Sequence, residues 1–205
     1  MRAAIILAGG TSSRFGFRDK SLIELYEEPL LAHILRKVKG IVDEVALSFQ
    51  SKEQAERAVK ILGLRDTRIA IDNVKGYGPI AGINAGMRVV KSDSVFLTGC
   101  DMPNLNSDVI EVLFGLIEDY DAVVPIWKNG DLEGLHSVYM RDATLRATEE
   151  CIRLGERRLS DFINRLNVRY IPVDEIRKFD PHLLTFSNIN SEEDLHSYLQ
   201  TQPKK

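Results

Sequence analysis

Arg14 and Lys20 stand in a stretch with no obvious place in a core. An apolar run, Ala3 to Leu7, passes into Ala8-Gly9-Gly10-Thr11-Ser12-Ser13-Arg14, and Gly16, Asp19 and Lys20 follow. Glycines let a backbone approach a ligand closely, and consecutive free N–H groups form an anion-binding nest. Three hydroxyls add neutral donors, and two well-spaced cations add charge-assisted ones. Together these groups match a polyphosphate. A plain structural turn with surface cations is the alternative. Two familiar phosphate loops fail on spacing. Lys20 precedes Ser21, but Asp19 occupies the position where a Walker loop needs glycine. Gly9, Gly10 and Gly16 do not fit G-x-G-x-x-G.

Asp101 heads a second cluster, in VFLTGCDMPNL. A carboxylate at the end of a buried strand can hold Mg²⁺ while most of the ion's shell stays water and phosphate. The alternative is a turn or cap. In a third cluster, Asp72-Asn73 precedes GYGPIAGINAG, where Gly76, Gly78, Gly82 and Gly86 bracket a helix begun by Pro79. Small residues there serve close helix–sheet packing or make room for a flat base. Three later features complete the set: His136, the pair Arg157-Arg158, and Asn188 with Asn190. His136 reads as structural. Adjacent arginines do not share a helix face, so at most one reaches a common site, and the other pairs with surface acid. Asn188 and Asn190 lie on one side of an extended segment. Asn190 or Ser191 alternatively caps the last helix.

These groups need a scaffold, and the chain supplies alternating strand and helix patterns. Strands are expected at 3–7, 44–48, 68–71, 94–98 and 121–126. Between them fall helices from Pro29, with the buried stripe Leu31, Ile34, Leu35, Val38, and over 52–62, with Ala55, Ala58, Val59 and Leu62 inward. Further helices begin at Pro79 and at a cap on Ser107 or Asp108. Ser21 to Leu25 reads as a short extended piece. After Ile126 the rhythm changes: strands at 136–140 and 168–173, helices at 143–153 and 159–166, and a last helix with an acidic first turn from Ser191. The pattern implies an α/β fold, three layers with a mostly parallel sheet covered on both faces. Ligands in such sheets bind beyond the carboxyl ends of the strands, where the polar clusters lie.

The composition fits one domain over residues 1–205, with 44% apolar residues to build a core. A net charge of −3, with cations spread along the chain, gives no nucleic-acid footprint. No stretch approaches the roughly 20 apolar residues that span a bilayer. Two distant cysteines, Cys100 and Cys151, suit a reducing compartment. The chain reads as cytoplasmic.

LAGGTSSRFGFRDK is similar to L-A-G-G-x-S-x-R-M-G-x-x-K of Rossmann-like nucleotidyltransferases, with Phe15 for the usual Met and Phe17 where glycine is common. Gly78 to Gly82 resembles G-P-L-A-G, Cys100 to Pro103 resembles C-D-M-P, and Phe186 to Leu195 resembles F-x-N-I-N-T-P-E-D-L. The molybdenum cofactor guanylyltransferases match best. The resemblance implies transfer of GMP from GTP to the phosphate of molybdopterin or Mo-molybdopterin, with Mg²⁺ on Asp101. It implies GTP contacts from Leu7, Ala8, Gly9, Gly10, Arg14, Lys20, Asp72, Gly78 and Asp101, with Asp72 at the guanine. Arg14, Lys20 and Asp101 carry the catalysis. Residues 1–126 then form the nucleotide-binding half and 127–200 the acceptor-binding half, with Arg157, Arg158, Asn188 and Asn190 on the acceptor. Molybdenum-insertion and molybdoenzyme-maturation proteins are the implied transient partners. The related alternatives are a molybdopterin cytidylyltransferase, which usually carries L-A-A-G, and a cobinamide-phosphate guanylyltransferase. A different class, a non-catalytic nucleotide-binding maturation partner, would need the loop but not the metal site.

Overall fold

The computed structural model describes residues 1–9, 11–12 and 18–201. Among these, seven strands form the main sheet: β1 Arg2–Leu7, β2 Glu44–Phe49, β3 Arg68–Ile71, β4 Ser94–Gly99, β5 Ala122–Ile126, β6 His136–Met140 and β7 Val168–Pro172. Their order is β3-β2-β1-β4-β6-β5-β7. β6 runs antiparallel to both neighbours, and every other pairing is parallel. The strand order reverses between β1 and β4, the crevice where ligands collect in such sheets.

β1 is central because its side chains, Ala3 to Ile6, are fully buried on both faces. An apolar run such as Ala3 to Ile6 has no solvated face, so it needs strands on each side and helices above and below. On one face lie α1 Leu30–Lys39, α2 Lys52–Leu62 and α4 Ser107–Gly115, packed on Ala4, Ile6, Leu47 and Phe96. On the other lie α3 Pro79–Val89, α5 Arg141–Leu154 and α6 Leu159–Ile163, packed on Ala3, Ile5, Ala46 and Leu97. This is the three-layer α/β/α arrangement. Each fully buried leucine or isoleucine contributes about 1.5–3 kcal/mol of apolar burial. α3 lies close against the sheet at Gly86, where a Cβ would sit 2.7 Å from Ile5 Cγ2.

Several boundaries differ from the sequence pattern, each for a local reason. Residues 21–25 are not one extended piece. Lys20–Leu22 is a 3₁₀ turn, and Glu24–Leu25 then pairs with Glu28–Pro29 across a Tyr26-Glu27 turn with φ of 52° and 63°. Pro29 is the N-cap of α1, one residue before the expected position. Val59 faces solvent, since two alanines suffice to seat α2. The cap of α4 is Asn106, whose side chain accepts from the Asp108 and Val109 N–H groups. α6 ends at Ile163, where the Asn164 N–H turns back to the Ser160 carbonyl. Pro172 ends β7 and starts the short α7, Val173–Ile176. The last helix is α8, Glu192–Thr201.

Candidate active site

Backbone bonds just beyond the strands fix where the site residues begin. The Ala8 N–H reaches Ser48 O at 2.8 Å, Cys100 N–H reaches Leu7 O at 3.1 Å, and Asp72 N–H reaches Phe49 O at 2.9 Å. The starts of three loops are thereby locked to the carboxyl edge of the sheet. Gly9 follows Ala8 under the β2 end. A Cβ there would meet Gln50 N at 2.7 Å, so glycine is required by the fold itself at this position.

Lys20 is the centre of the site. Its 3₁₀ turn is capped by Asp19, whose Oδ1 accepts from Ser21 N at 3.2 Å and from the fully buried Ser21 hydroxyl at 2.7 Å. Asp19 is thus a local brace for Lys20. The ammonium of Lys20 donates to Asp101 Oδ2 at 2.7 Å and to Asn190 Oδ1 at 2.7 Å. The Lys20 side chain is 11% exposed and that of Asp101 25%. Removing one partner of so enclosed a pair leaves a poorly solvated charge. Asn190 arrives from the far end of the chain. The Ile189 N–H donates to Asp101 O at 2.9 Å, and the Asn190 N–H donates to Asp194 Oδ2 at 2.8 Å. Ser191 caps α8 by accepting from Asp194 N, so Ser191 takes the capping role and leaves the Asn190 side chain to Lys20.

A second group of residues lies on the same carboxyl edge of the sheet. Asp72 is half-buried, and the Ser48 hydroxyl donates to its Oδ1 at 3.5 Å. Burial pushes the Asp72 carboxyl up to about 6, against the lowering effect of Ser48. Gly82 lies opposite: a Cβ there would stand 3.1 Å from Leu7 Cδ2, 3.2 Å from Ser48 Oγ and 3.5 Å from Asp72 Oδ1. Gly78, with φ of +52°, turns the chain into α3 beside them.

Among the described residues no group of three or more His, Cys, Asp or Glu side chains could hold a metal ion. Asp101 offers one carboxylate at an open strand edge. That donor set fits a Mg²⁺ ion whose remaining ligands are phosphate oxygens and water, and it does not fit a resident ion held by protein alone.

The other expected residues divide. Arg157 is exposed, with its guanidinium carbon 5.6 Å from the centre of the Tyr77 ring, and the Tyr77 hydroxyl donates to Ile152 O at 3.0 Å. It therefore overhangs the loop that leads into α3. Arg158 is exposed and uses its backbone N–H on Asp161 Oδ2 at the head of α6. Asn188 is exposed and lines a groove of about 250 Å³ with Asn104, Ser187 and Tyr198. Gly10, Arg14, Gly16 and Phe17 lie outside the described residues. His136 is structural: fully buried, edge-on to Phe96 and Phe186, with Nε2 3.2 Å from Thr185 Oγ1. Burial pushes it down to about 3, so it stays neutral. Burial, reinforced by the Asp101 charge, pushes the Cys100 thiol far up, which leaves it inert. Sequence reasoning missed Ser48. Ser48 carried a signal, as the polar residue in the buried run Val45 to Phe49.

The fold is shared with a nucleotidyl transferase from Methanothermobacter thermautotroptrophicus, which superposes with a TM-score of 0.72 at 16% identity, covering 98% of this chain and 96% of its own. Molybdopterin-guanine dinucleotide biosynthesis protein A from Archaeoglobus fulgidus superposes with a TM-score of 0.82 at 31% identity, covering 98% and 97%. The probable molybdenum cofactor guanylyltransferase of Methanosarcina mazei is 35% identical over 202 residues, 97% of this chain and 90% of its own length. The molybdenum cofactor guanylyltransferase of Syntrophotalea carbinolica is 30% identical over 204 residues, 98% and 92%. Residues 4–170 match the family model of the MobA-like NTP transferase domain, and the chain belongs to that family.

Proposed function

We propose that the chain is a molybdenum cofactor guanylyltransferase, moving GMP from GTP to the phosphate of molybdopterin or Mo-molybdopterin and releasing pyrophosphate. The observation that carries this reading is the Lys20–Asp101–Asn190 cluster on the same carboxyl edge of the sheet as the Asp72–Ser48 pair. The names of the relatives support it.

Guanine docks at the Asp72 carboxylate, at the edge of the sheet beyond β3. The Asp72 carboxylate, when ionised, accepts from the N1–H and N2–H of the base. The triphosphate runs over Ala8 and Gly9 toward Lys20. An ammonium has three N–H donors, and Lys20 spends two on Asp101 and Asn190, so the third is free for a phosphate oxygen. The acceptor phosphate attacks the α-phosphorus in line. One P–O bond forms, and the bond to the bridging oxygen of the β-phosphate breaks. Lys20 stabilises charge on the departing pyrophosphate, a role Arg14 shares. No general base is needed, since the nucleophile is already anionic. Mg²⁺, held by Asp101 and the phosphates, supplies charge neutralisation when bound.

In this reading residues 1–126 bind the nucleotide and 127–200 the acceptor, with Arg157 at their junction. Maturation proteins of molybdoenzymes would receive the product in the cytoplasm. Among the described residues no helix is long and apolar enough to cross a membrane. The test is incubation with α-labelled GTP, Mg²⁺ and a panel of phosphorylated acceptors that includes molybdopterin. Label should pass to molybdopterin with release of pyrophosphate, and CTP should not substitute. Absence of transfer beside an active control enzyme, or a preference for CTP, refutes the assignment.

A further inference from the structure

We propose that Gly99 is a positioning residue for Asp101: its missing side chain is the space that lets the Asp101 carboxylate face Lys20. The inference rests on the reading of Asp101 given above, and it adds a residue to that machinery.

Gly99 closes β4 and pairs with Leu7 across the ladder. Its φ lies outside the left-handed region, so the backbone alone would accept any residue. Glycine inside a strand costs stability and packs nothing, which calls for a reason. Of the heavy atoms around a Cβ built on Gly99, the three nearest all belong to Asp101: Oδ1 at 2.4 Å, Cγ at 3.5 Å and N at 3.9 Å. Gly86 and Gly9 differ, because a Cβ there would strike core side chains or backbone of another strand. At Gly99 the conflict is with a carboxylate oxygen.

Asp101 is therefore gripped on two sides. Lys20 Nζ holds Oδ2 at 2.7 Å, while Oδ1 lies over the bare Cα of Gly99. Ordinary C···O contacts lie near 3.3–3.6 Å, so a methyl group would push Oδ1 by about 1 Å. The side chain can swing outward, which spares the fold. The swing moves Oδ2 off Lys20 and so also loosens the Lys20–Asn190 bond. A displacement of about 1 Å in a catalytic group is worth roughly 100-fold in rate.

The experiment is a double-mutant cycle of Gly99→Ala with Asp101→Ala. Pyrophosphate release, KM for GTP, thermal melting and the Lys20 side-chain ¹⁵Nζ resonance are read on the intact protein. Gly99→Ala should lower kcat about 100-fold, with KM within threefold, in a protein that still folds cooperatively at a melting temperature no lower than that of Asp101→Ala. Its Lys20 resonance should move toward that of Asp101→Ala. In the Asp101→Ala background Gly99→Ala should change nothing by more than twofold. A Gly99→Ala enzyme within threefold of the parent rate overturns the proposal, and so does an equal loss in both backgrounds. Should Asp101→Ala keep full activity, the catalytic reading of Asp101 falls; the Lys20 resonance then still decides whether Gly99 places the carboxylate. Should Gly99→Ala fail to fold, folding restored by added Asp101→Ala supports the proposal, and continued misfolding overturns it.

Discussion

Asp72 gives the sharpest quantitative expectation, because its half-buried carboxyl is pushed up to about 6. Guanine needs the ionised form, which alone accepts from both N1–H and N2–H. At pH 7.5 nearly all of the enzyme carries that form. At pH 5 only about one-tenth does, so GTP affinity should fall about tenfold, near 1.4 kcal/mol. The γ-phosphate of GTP also titrates near pH 6. The measurement is therefore the ratio of affinities of the parent and Asp72→Asn, taken by calorimetry between pH 5 and 7.5. Asparagine removes a charge-assisted interaction worth roughly 1.5–3 kcal/mol, so the ratio should be about 10–150 at pH 7.5. It should shrink about tenfold by pH 5. Ser48→Ala removes the hydroxyl that lowers this carboxyl, so its inflection should lie at higher pH. A ratio that stays constant across the range refutes Asp72 as the guanine acceptor.

Three further outcomes follow from the geometry. Lys20→Met keeps the aliphatic stem but strands Asp101 and Asn190; pyrophosphate release should fall at least about 100-fold, and an unaltered rate would remove Lys20 from the mechanism. The left-handed turn Tyr26-Glu27 suits Asn-Gly, so the double substitution Tyr26→Asn, Glu27→Gly should raise stability by about 1–2 kcal/mol, read as a higher melting temperature. His136 is buried neutral, held near 3 against about 6.5 in the unfolded chain, so the unfolded state binds the extra proton as pH falls. Its contribution is intact above pH 6.5 and is lost progressively toward pH 3. In urea unfolding the parent should lose about 2 kcal/mol relative to His136→Leu between pH 7 and 5, a difference that leaves out the opposite effect of Asp72.

Much of the scaffold was legible in the chain. The apolar run Ala3 to Leu7 of β1, the amphipathic stripe of α1 and the Pro79 start of α3 are short-range patterns, and a strand or helix period is set by neighbours within a few residues. The position of Asp101 at a strand end was legible for the same reason. Caps were read less well: Asn106, not Ser107 or Asp108, starts α4, since any of three adjacent polar residues satisfies the sequence rule and only the backbone direction selects one.

What the sequence determined by itself is thus the alternation of elements, the carboxyl-edge placement of the polar clusters and the types of group available there. The tertiary structure decided which of them meet. Lys20 lies 81 residues from Asp101 and 170 from Asn190, yet one ammonium binds both, while Asn188, two residues from Asn190, lines a groove with Asn104 and Tyr198. No local periodicity encodes such a meeting. It arises because the β4 end, the 3₁₀ turn at Lys20 and the segment before α8 are packed on one edge. The backbone bond from Ile189 to Asp101 fixes the distance. Gly99 shows the same division: its glycine is plain in the sequence, and its purpose appears only when the Asp101 oxygen is seen lying over it.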